Sequence, residues 1–156
     1  MKTSPAARLE ELGYELPVVP TPAGSYVPAV AAGALIFTAG QLPLKDGSLL
    51  HTGKVGATVR LEEAQNAARV CALNALAAAA SEAGGLDEIT RIVKVTGYVA
   101  SAHNFTSQPD VLNGASEFLG QVFGEAGKHA RSAVGVAELP LNAPVEVEIV
   151  AATGNY

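Results

Sequence analysis

The chain is poor in the residues that usually advertise chemistry: one cysteine (Cys71), one methionine and no tryptophan in 156 residues. A single cysteine excludes an intrachain disulfide framework and suits a reducing, cytoplasmic setting. Positive charge is scarce as well, with 10 Lys and Arg against 15 Asp and Glu, a formal net charge of −5. That balance argues against a broad phosphate-binding surface, and so against nucleic acid as a partner, while leaving room for a local cationic pocket. No run of about 18 uncharged apolar residues is present, so no membrane span is expected. Met1-Lys2-Thr3-Ser4-Pro5 lacks the apolar core of a signal peptide.

Familiar catalytic and cofactor motifs are missing too. His51, His103 and His129 are far apart, with no His-x-x-x-His or paired-cysteine spacing. They read as surface histidines rather than metal ligands, and no metal is expected. Gly114-Ala115-Ser116-Glu117-Phe118 lacks the last glycine of a nucleophile elbow and falls inside a helical pattern. Cys71 belongs to an apolar stripe and reads as a packing residue. Gly53-Lys54-Val55 has no Ser or Thr where a phosphate loop needs one, and no Gly-x-Gly-x-x-Gly follows a strand. A dinucleotide site is therefore not expected.

What is present is apolar bulk of a small kind: 49% of residues are hydrophobic, and much of that is alanine. Close packing or subunit contact explains the excess better than a membrane does. The length fits one domain, able to bury roughly 70% of its unfolded surface. Ser4-Pro5 through Leu12, then Gly13, predicts a short capped helix. Tyr26–Ala31 and Ala34–Gln41 predict a pair of strands around Ala32-Gly33, and Lys45–Gly56 a loop. Leu61–Ala83 is the clearest helix, with Leu61, Ala64, Ala68, Cys71, Ala75, Leu76 and Ala79 on one stripe before Gly84-Gly85. Ile89–Ala100 alternates as a strand, in one segment or more than one, Val111–Phe123 is a second amphipathic helix, and two strands close the chain. The class is α+β, a mixed, mostly antiparallel sheet with both helices on one face. The other face must then meet water, a ligand or a partner subunit.

The last quarter holds the densest chemistry, Arg131-Ser132-Ala133-Val134-Gly135-Val136-Ala137-Glu138-Leu139-Pro140 and then Val145-Glu146-Val147-Glu148-Ile149. Strand side chains alternate between faces, so Arg131, Ala133 and Gly135 share one side, and Glu146 and Glu148 share another opposite Val145, Val147 and Ile149. Read as a hairpin, the pair would have an apolar core face and a second face carrying one cation and two carboxylates. An ordinary solvated sheet face is one reading of that pattern. A small charged pocket is the other, because Ala and Gly do not shield the arginine and no lysine accompanies it. Arginine can grip a carboxylate with two parallel hydrogen bonds, and a neighbouring glutamate can orient or deprotonate a water.

Taken with Tyr26-Val27-Pro28, Thr38-Ala39-Gly40-Gln41-Leu42-Pro43 and Asn113, this block resembles the Rid (YjgF/UK114) family of reactive-intermediate deaminases. The likeness spans about residues 24 to 152, leaving 1–23 as an N-terminal extension before a single domain, 24–156. It implies a chorismate-mutase-like fold and a homotrimer with clefts shared between two chains. It also implies cofactor-free hydrolysis of 2-imino or 2-enamino acids to 2-keto acids and ammonia. Carried over by position, Arg131 holds the substrate carboxylate and Glu146 positions the attacking water. Ala39 and Gly40 border the reacting atoms, Tyr26 and Asn113 line the cleft, and Ala133 lies beside the arginine. Tyr26 could instead anchor a strand edge, and Asn113 could cap its helix. Well-studied members often carry serine and cysteine where this chain has Ala39 and Ala133. A non-catalytic trimer binding small carboxylates is therefore the alternative. The endoribonuclease or translation-inhibitor label carried by some relatives fits poorly with the acidic balance.

Overall fold

The computed structural model describes residues 3–154. Its elements run α1 (Pro5–Glu11), β1 (Ala29–Ala32), β2 (Leu35–Thr38), β3 (Leu44–Lys45), β4 (Ser48–Leu49), α2 (Leu61–Ala83), β5 (Ile89–Ala100), α3 (Gln108–Phe123), β6 (Ala130–Val136) and β7 (Val145–Thr153). Local chemistry sets several ends. The Ser4 hydroxyl accepts from the Ala7 amide at 3.3 Å and Pro5 opens the first turn of α1. Glu63 accepts the Arg60 amide at 2.9 Å at the start of α2, and Gly84 closes it in the left-handed region at φ 90°. α3 begins at Gln108, three residues before the predicted Val111, with Pro109 in its first turn. The stretch expected to be a plain loop contains most of the small β3–β4 hairpin, turned through Asp46 and Gly47 at positive φ. The first strand starts only at Ala29, so Tyr26 lies outside it.

Five strands form one sheet in the order β1-β2-β7-β5-β6. All neighbours are antiparallel except β5 and β6, which run parallel. The closing strands are therefore no hairpin: β5 lies between them. A three-residue helical turn, Pro140–Asn142, carries the chain from one to the other.

Both long helices cover one face of the sheet. Alanine makes α2 slim, and its buried side includes Ala64, Ala68, Cys71, Ala75, Leu76 and Ala79, the predicted stripe without Leu61. α3 buries Val111, Leu112, Ala115, Phe118, Leu119 and Val122 as the periodicity required. The two helices approach so closely at Gly114 that a Cβ there would strike the Gln65 backbone carbonyl. Gly97 of β5 likewise lies under the Leu112 side chain, with no room for a Cβ. α1 joins this layer: Leu9 is buried, and Tyr14 meets Phe118 edge-on with centroids 5.2 Å apart. The opposite sheet face has no covering layer among the described residues. It exposes Val30, Phe37 and Val134, with Phe37 44% accessible. Among the described residues no helix is long and apolar enough to cross a membrane.

Candidate functional site

Cross-strand partners share a face, so the register decides where each candidate points. Val95 of β5 stands opposite both Arg131 and Ile149, while Tyr98 stands opposite both Val134 and Glu146. Arg131 and Ala133 accordingly face the helices. Glu146 and Glu148 face away. This corrects the expectation of one charged face: within a single chain the cation and the carboxylates sit on opposite sides of the sheet.

On the helix side, α3 offers polar groups to the edge strand β6. Arg131 Nη1 donates to Asn113 Oδ1 at 2.9 Å and to Ser116 Oγ at 3.1 Å, and Nη2 donates to the Pro109 carbonyl at 3.2 Å. A guanidinium has five N–H groups. Three are used, leaving Nε–H and one Nη2–H without a partner among the described residues. These neighbouring donors suit a bidentate carboxylate. Arg131, Asn113, Ser116, Gly120, Gly127, Lys128 and His129 line an open cavity of about 390 Å³. Asn113 thus supports the arginine instead of capping its own helix.

His129 departs from the expectation of a surface residue. It is half-buried, with Nε2 2.9 Å from Ser116 Oγ and Nδ1 2.6 Å from the Gly127 carbonyl. Burial lowers its pKa, the Gly127 carbonyl opposes that, and the Arg131 charge lowers it further. Neither His129 nor Ser116 is singled out for this site by sequence, although His129 and Arg131 are two apart in an extended run and so share a face. Among the described residues no group of three or more His, Cys, Asp or Glu could hold a metal ion. Cys71 is fully buried, which raises its thiol pKa well above the usual range.

The second half of the site lies on the uncovered face. After β2 the chain stays beside β7, with Gln41 and Val147 exchanging amide–carbonyl bonds of 2.8 and 3.0 Å. From the Phe37–Val150 pair to the Gln41–Val147 bridge, four steps on one strand face three on the other. That extra residue is a bulge spanning Thr38–Gly40. Within it, the Thr38 hydroxyl accepts the Ile149 amide at 3.0 Å. The buried Asn74 side chain pins the segment beyond the bulge, donating to the Leu42 and Leu44 carbonyls at 3.0 Å each.

The bulge brings Gly40 under Glu146: a Cβ at position 40 would run into the Glu146 carboxylate. Glu146 is half-buried, and burial followed by the Glu148 charge pushes its pKa up. Glu148 itself accepts from the Tyr98 hydroxyl at 2.9 Å. Ala39 adjoins Gly40, its amide bonded to the Pro28 carbonyl at 2.8 Å. Tyr26 is exposed and turned back on its own loop, its hydroxyl accepting the Ala23 amide at 3.2 Å. The structure therefore groups Gly40 with Glu146, and Asn113 with Arg131.

The family model described as "YjgF/chorismate_mutase-like, putative endoribonuclease" matches residues 6–153. The chain belongs to this YjgF (Rid) family. Protein TCP17 of Trypanosoma cruzi is 44% identical over 151 residues, covering 96% of this chain and 94% of that protein. The crystal structure of Agrobacterium tumefaciens Atu1372, a protein of unknown function, superposes with a TM-score of 0.89 at 43% identity, covering 97% of this chain and 94% of that one. A 2-iminobutanoate/2-iminopropanoate deaminase of Escherichia coli K12 is 34% identical over 134 residues, covering 85% of this chain and 90% of the enzyme. The α+β architecture derived from periodicity is thus the YjgF fold, in a family that includes imine deaminases.

Proposed function

We propose that the protein hydrolyses 2-imino and 2-enamino acids to 2-keto acids and ammonia, in clefts between the subunits of a cytoplasmic homotrimer. The observation that carries this reading is the division of the site. Arg131 has two donors left over on the helix side, whereas Glu146 rests on Gly40 on the bare side. Each half is incomplete alone. A neighbouring copy laid on the uncovered face would bring its Arg131 edge to this chain's Glu146.

Arg131 then takes the substrate carboxylate through Nε–H and Nη2–H, a charge-assisted contact of about 1.5–3 kcal/mol. Asn113 keeps the guanidinium in place, and Ala133 leaves room beside it. From the other subunit, Gly40 and Ala39 border the imine carbon and nitrogen, and Tyr26 closes the rim. Glu146 accepts a proton from water as the oxygen attacks C2. Its raised pKa makes it a stronger base than an ordinary carboxylate. Glu146 returns that proton to the nitrogen, giving the carbinolamine. The C–N bond then breaks as the hydroxyl proton passes to nitrogen, which leaves as ammonia, and the C2 oxygen becomes the ketone. An imine is already electrophilic, so orientation and one polarised water suffice.

Ala39 and Ala133 favour a second reading, a trimer that binds keto acids without turnover, because neither side chain can hydrogen-bond a ligand. Ammonia release from freshly generated 2-iminobutyrate separates the two. Acceleration that disappears in Arg131→Ala supports the deaminase. Equal rates for the wild type and Arg131→Ala contradict it. Saturable binding of 2-oxobutyrate without acceleration leaves the binder.

A further inference from the structure

Behind Arg131 runs a relay that hydrolysis of an imine does not by itself demand: Arg131 Nη1 to Ser116 Oγ at 3.1 Å, Ser116 Oγ to His129 Nε2 at 2.9 Å, and His129 Nδ1 to the Gly127 carbonyl at 2.6 Å. Hydrogen inventory assigns the roles. A carbonyl only accepts, so Nδ1 carries a hydrogen and donates to Gly127. A guanidinium only donates, so Ser116 Oγ accepts from Arg131. The serine hydrogen is then available to Nε2, which in the neutral ring is an acceptor. Every group in the relay is satisfied once.

The backbone is shaped to hold this. Gly127 is buried against the end of α3, where a Cβ would come within 2.5 Å of the Leu119 carbonyl. A larger residue would lift the turn, and with it the carbonyl that orients the ring.

We propose that His129, acting through Ser116, is a positioning residue for Arg131, and that its neutral form is the one that seats the arginine. This rests on reading Arg131 as the carboxylate clamp. Protonation converts Nε2 into a donor, aims two cationic donors at one serine oxygen, and leaves the serine hydrogen without its acceptor. The groups around the ring do not offset that. On α3 it bonds Ser116, Asn113 and Gly120 line the same cavity, and Glu117 is exposed next to Ser116 in the chain. On the preceding turn Glu125 is occupied by Lys128 at 2.8 Å. On β6 the neighbour is Arg131 itself. Lys94 of β5 pairs with Ala130, on the other face. Carboxylate affinity therefore falls as His129 gains its proton, although simple charge counting would have it rise.

The test tracks the His129 ring and the Arg131 Nε–H by heteronuclear NMR from about pH 8 to pH 5, alongside binding of unreactive 2-oxobutyrate. The ring is expected to titrate below the ordinary 6.5. The Arg131 signal should broaden in step with it, and the 2-oxobutyrate Kd should rise about tenfold, one charge-assisted hydrogen bond's worth. In His129→Gln both pH dependences should vanish, and in Ser116→Ala the two signals should uncouple. An Arg131 signal indifferent to His129 protonation, or tighter 2-oxobutyrate binding at acid pH, would overturn the proposal. The NMR arm needs no ligand. Failure to bind any keto acid would thus count against the carboxylate role of Arg131, while the coupling itself is still decided.

Discussion

Arg131 and Glu146 project from opposite faces of one sheet, two strands apart, with β5 between their strands. Val95 stands opposite Arg131, and Tyr98, three residues on, stands opposite Glu146. A rigid, doubly bonded strand separates them, so no side-chain rotation within one chain unites the pair. An active site using both needs two copies, and the bare face with Phe37 and Val134 is where the second would lie.

The proposed trimer has a direct consequence. Sedimentation should give a mass about three times the chain's 15.8 kDa. Phe37→Asp places a charge among the exposed apolar side chains of the uncovered face and should shift the protein toward monomer, abolishing ammonia release with Arg131 and Glu146 intact. A fully active monomer would refute the shared cleft.

Gly40 leaves Glu146 the space a side chain would take. The obstacle to Gly40→Ala is the tip of a movable side chain, so stability should change by less than about 1 kcal/mol. Turnover should nonetheless drop roughly tenfold or more, because the carboxylate must swing off its site. Urea melts beside kcat/KM measure the two effects separately.

Gly114→Ala makes the contrasting case. Its Cβ would meet backbone, the Gln65 carbonyl, which cannot swing aside. The gain of about 1 kcal/mol in helix propensity should be outweighed by an overpacking cost of about 1–3 kcal/mol. A lower urea midpoint is expected, and a higher one would show that the helices can part freely.

Glu146 links stability to pH with a definite sign. Its pKa is raised in the folded protein above the ordinary 4.5, so the native state holds the proton more tightly than the unfolded chain. Its contribution is therefore present below pH 4.5 and lost as pH rises through the raised folded value. Glu146→Gln should melt higher than wild type at neutral pH, with the advantage shrinking toward about pH 4. It should also be inactive, a trade of function for stability. A neutral-pH Tm below wild type would contradict the assignment of burial as the main cause.

Periodicity makes α2, α3 and β5 readable, because each buries one continuous stripe: Ile89–Ala100 is a single strand with the expected ends. Pairing is not readable. Nothing local in Arg131–Pro140 says that β6 will lie parallel to β5 instead of folding back on β7, since that depends on the crossover through α3. The misplaced face of Arg131 has the same cause. The resemblance names Asn113, Arg131, Gly40 and Glu146 without pairing them; that Asn113 bonds Arg131 and that Gly40 lies under Glu146 comes from the tertiary structure. His129 escapes a reading that weighs histidines as metal ligands by their mutual spacing. Its two-residue offset from Arg131 is the usable signal.

If Arg131 of one subunit works with Glu146 of another, mixed trimers will complement defects that each chain carries alone. Arg131→Ala and Glu146→Gln proteins should each be inactive alone. Unfolded together in equal amounts and refolded, they should recover about a quarter of wild-type ammonia release from 2-iminobutyrate, the fraction of clefts that draw an intact residue from each side. Mixed trimers verified by native mass spectrometry that remain inactive would contradict the shared cleft.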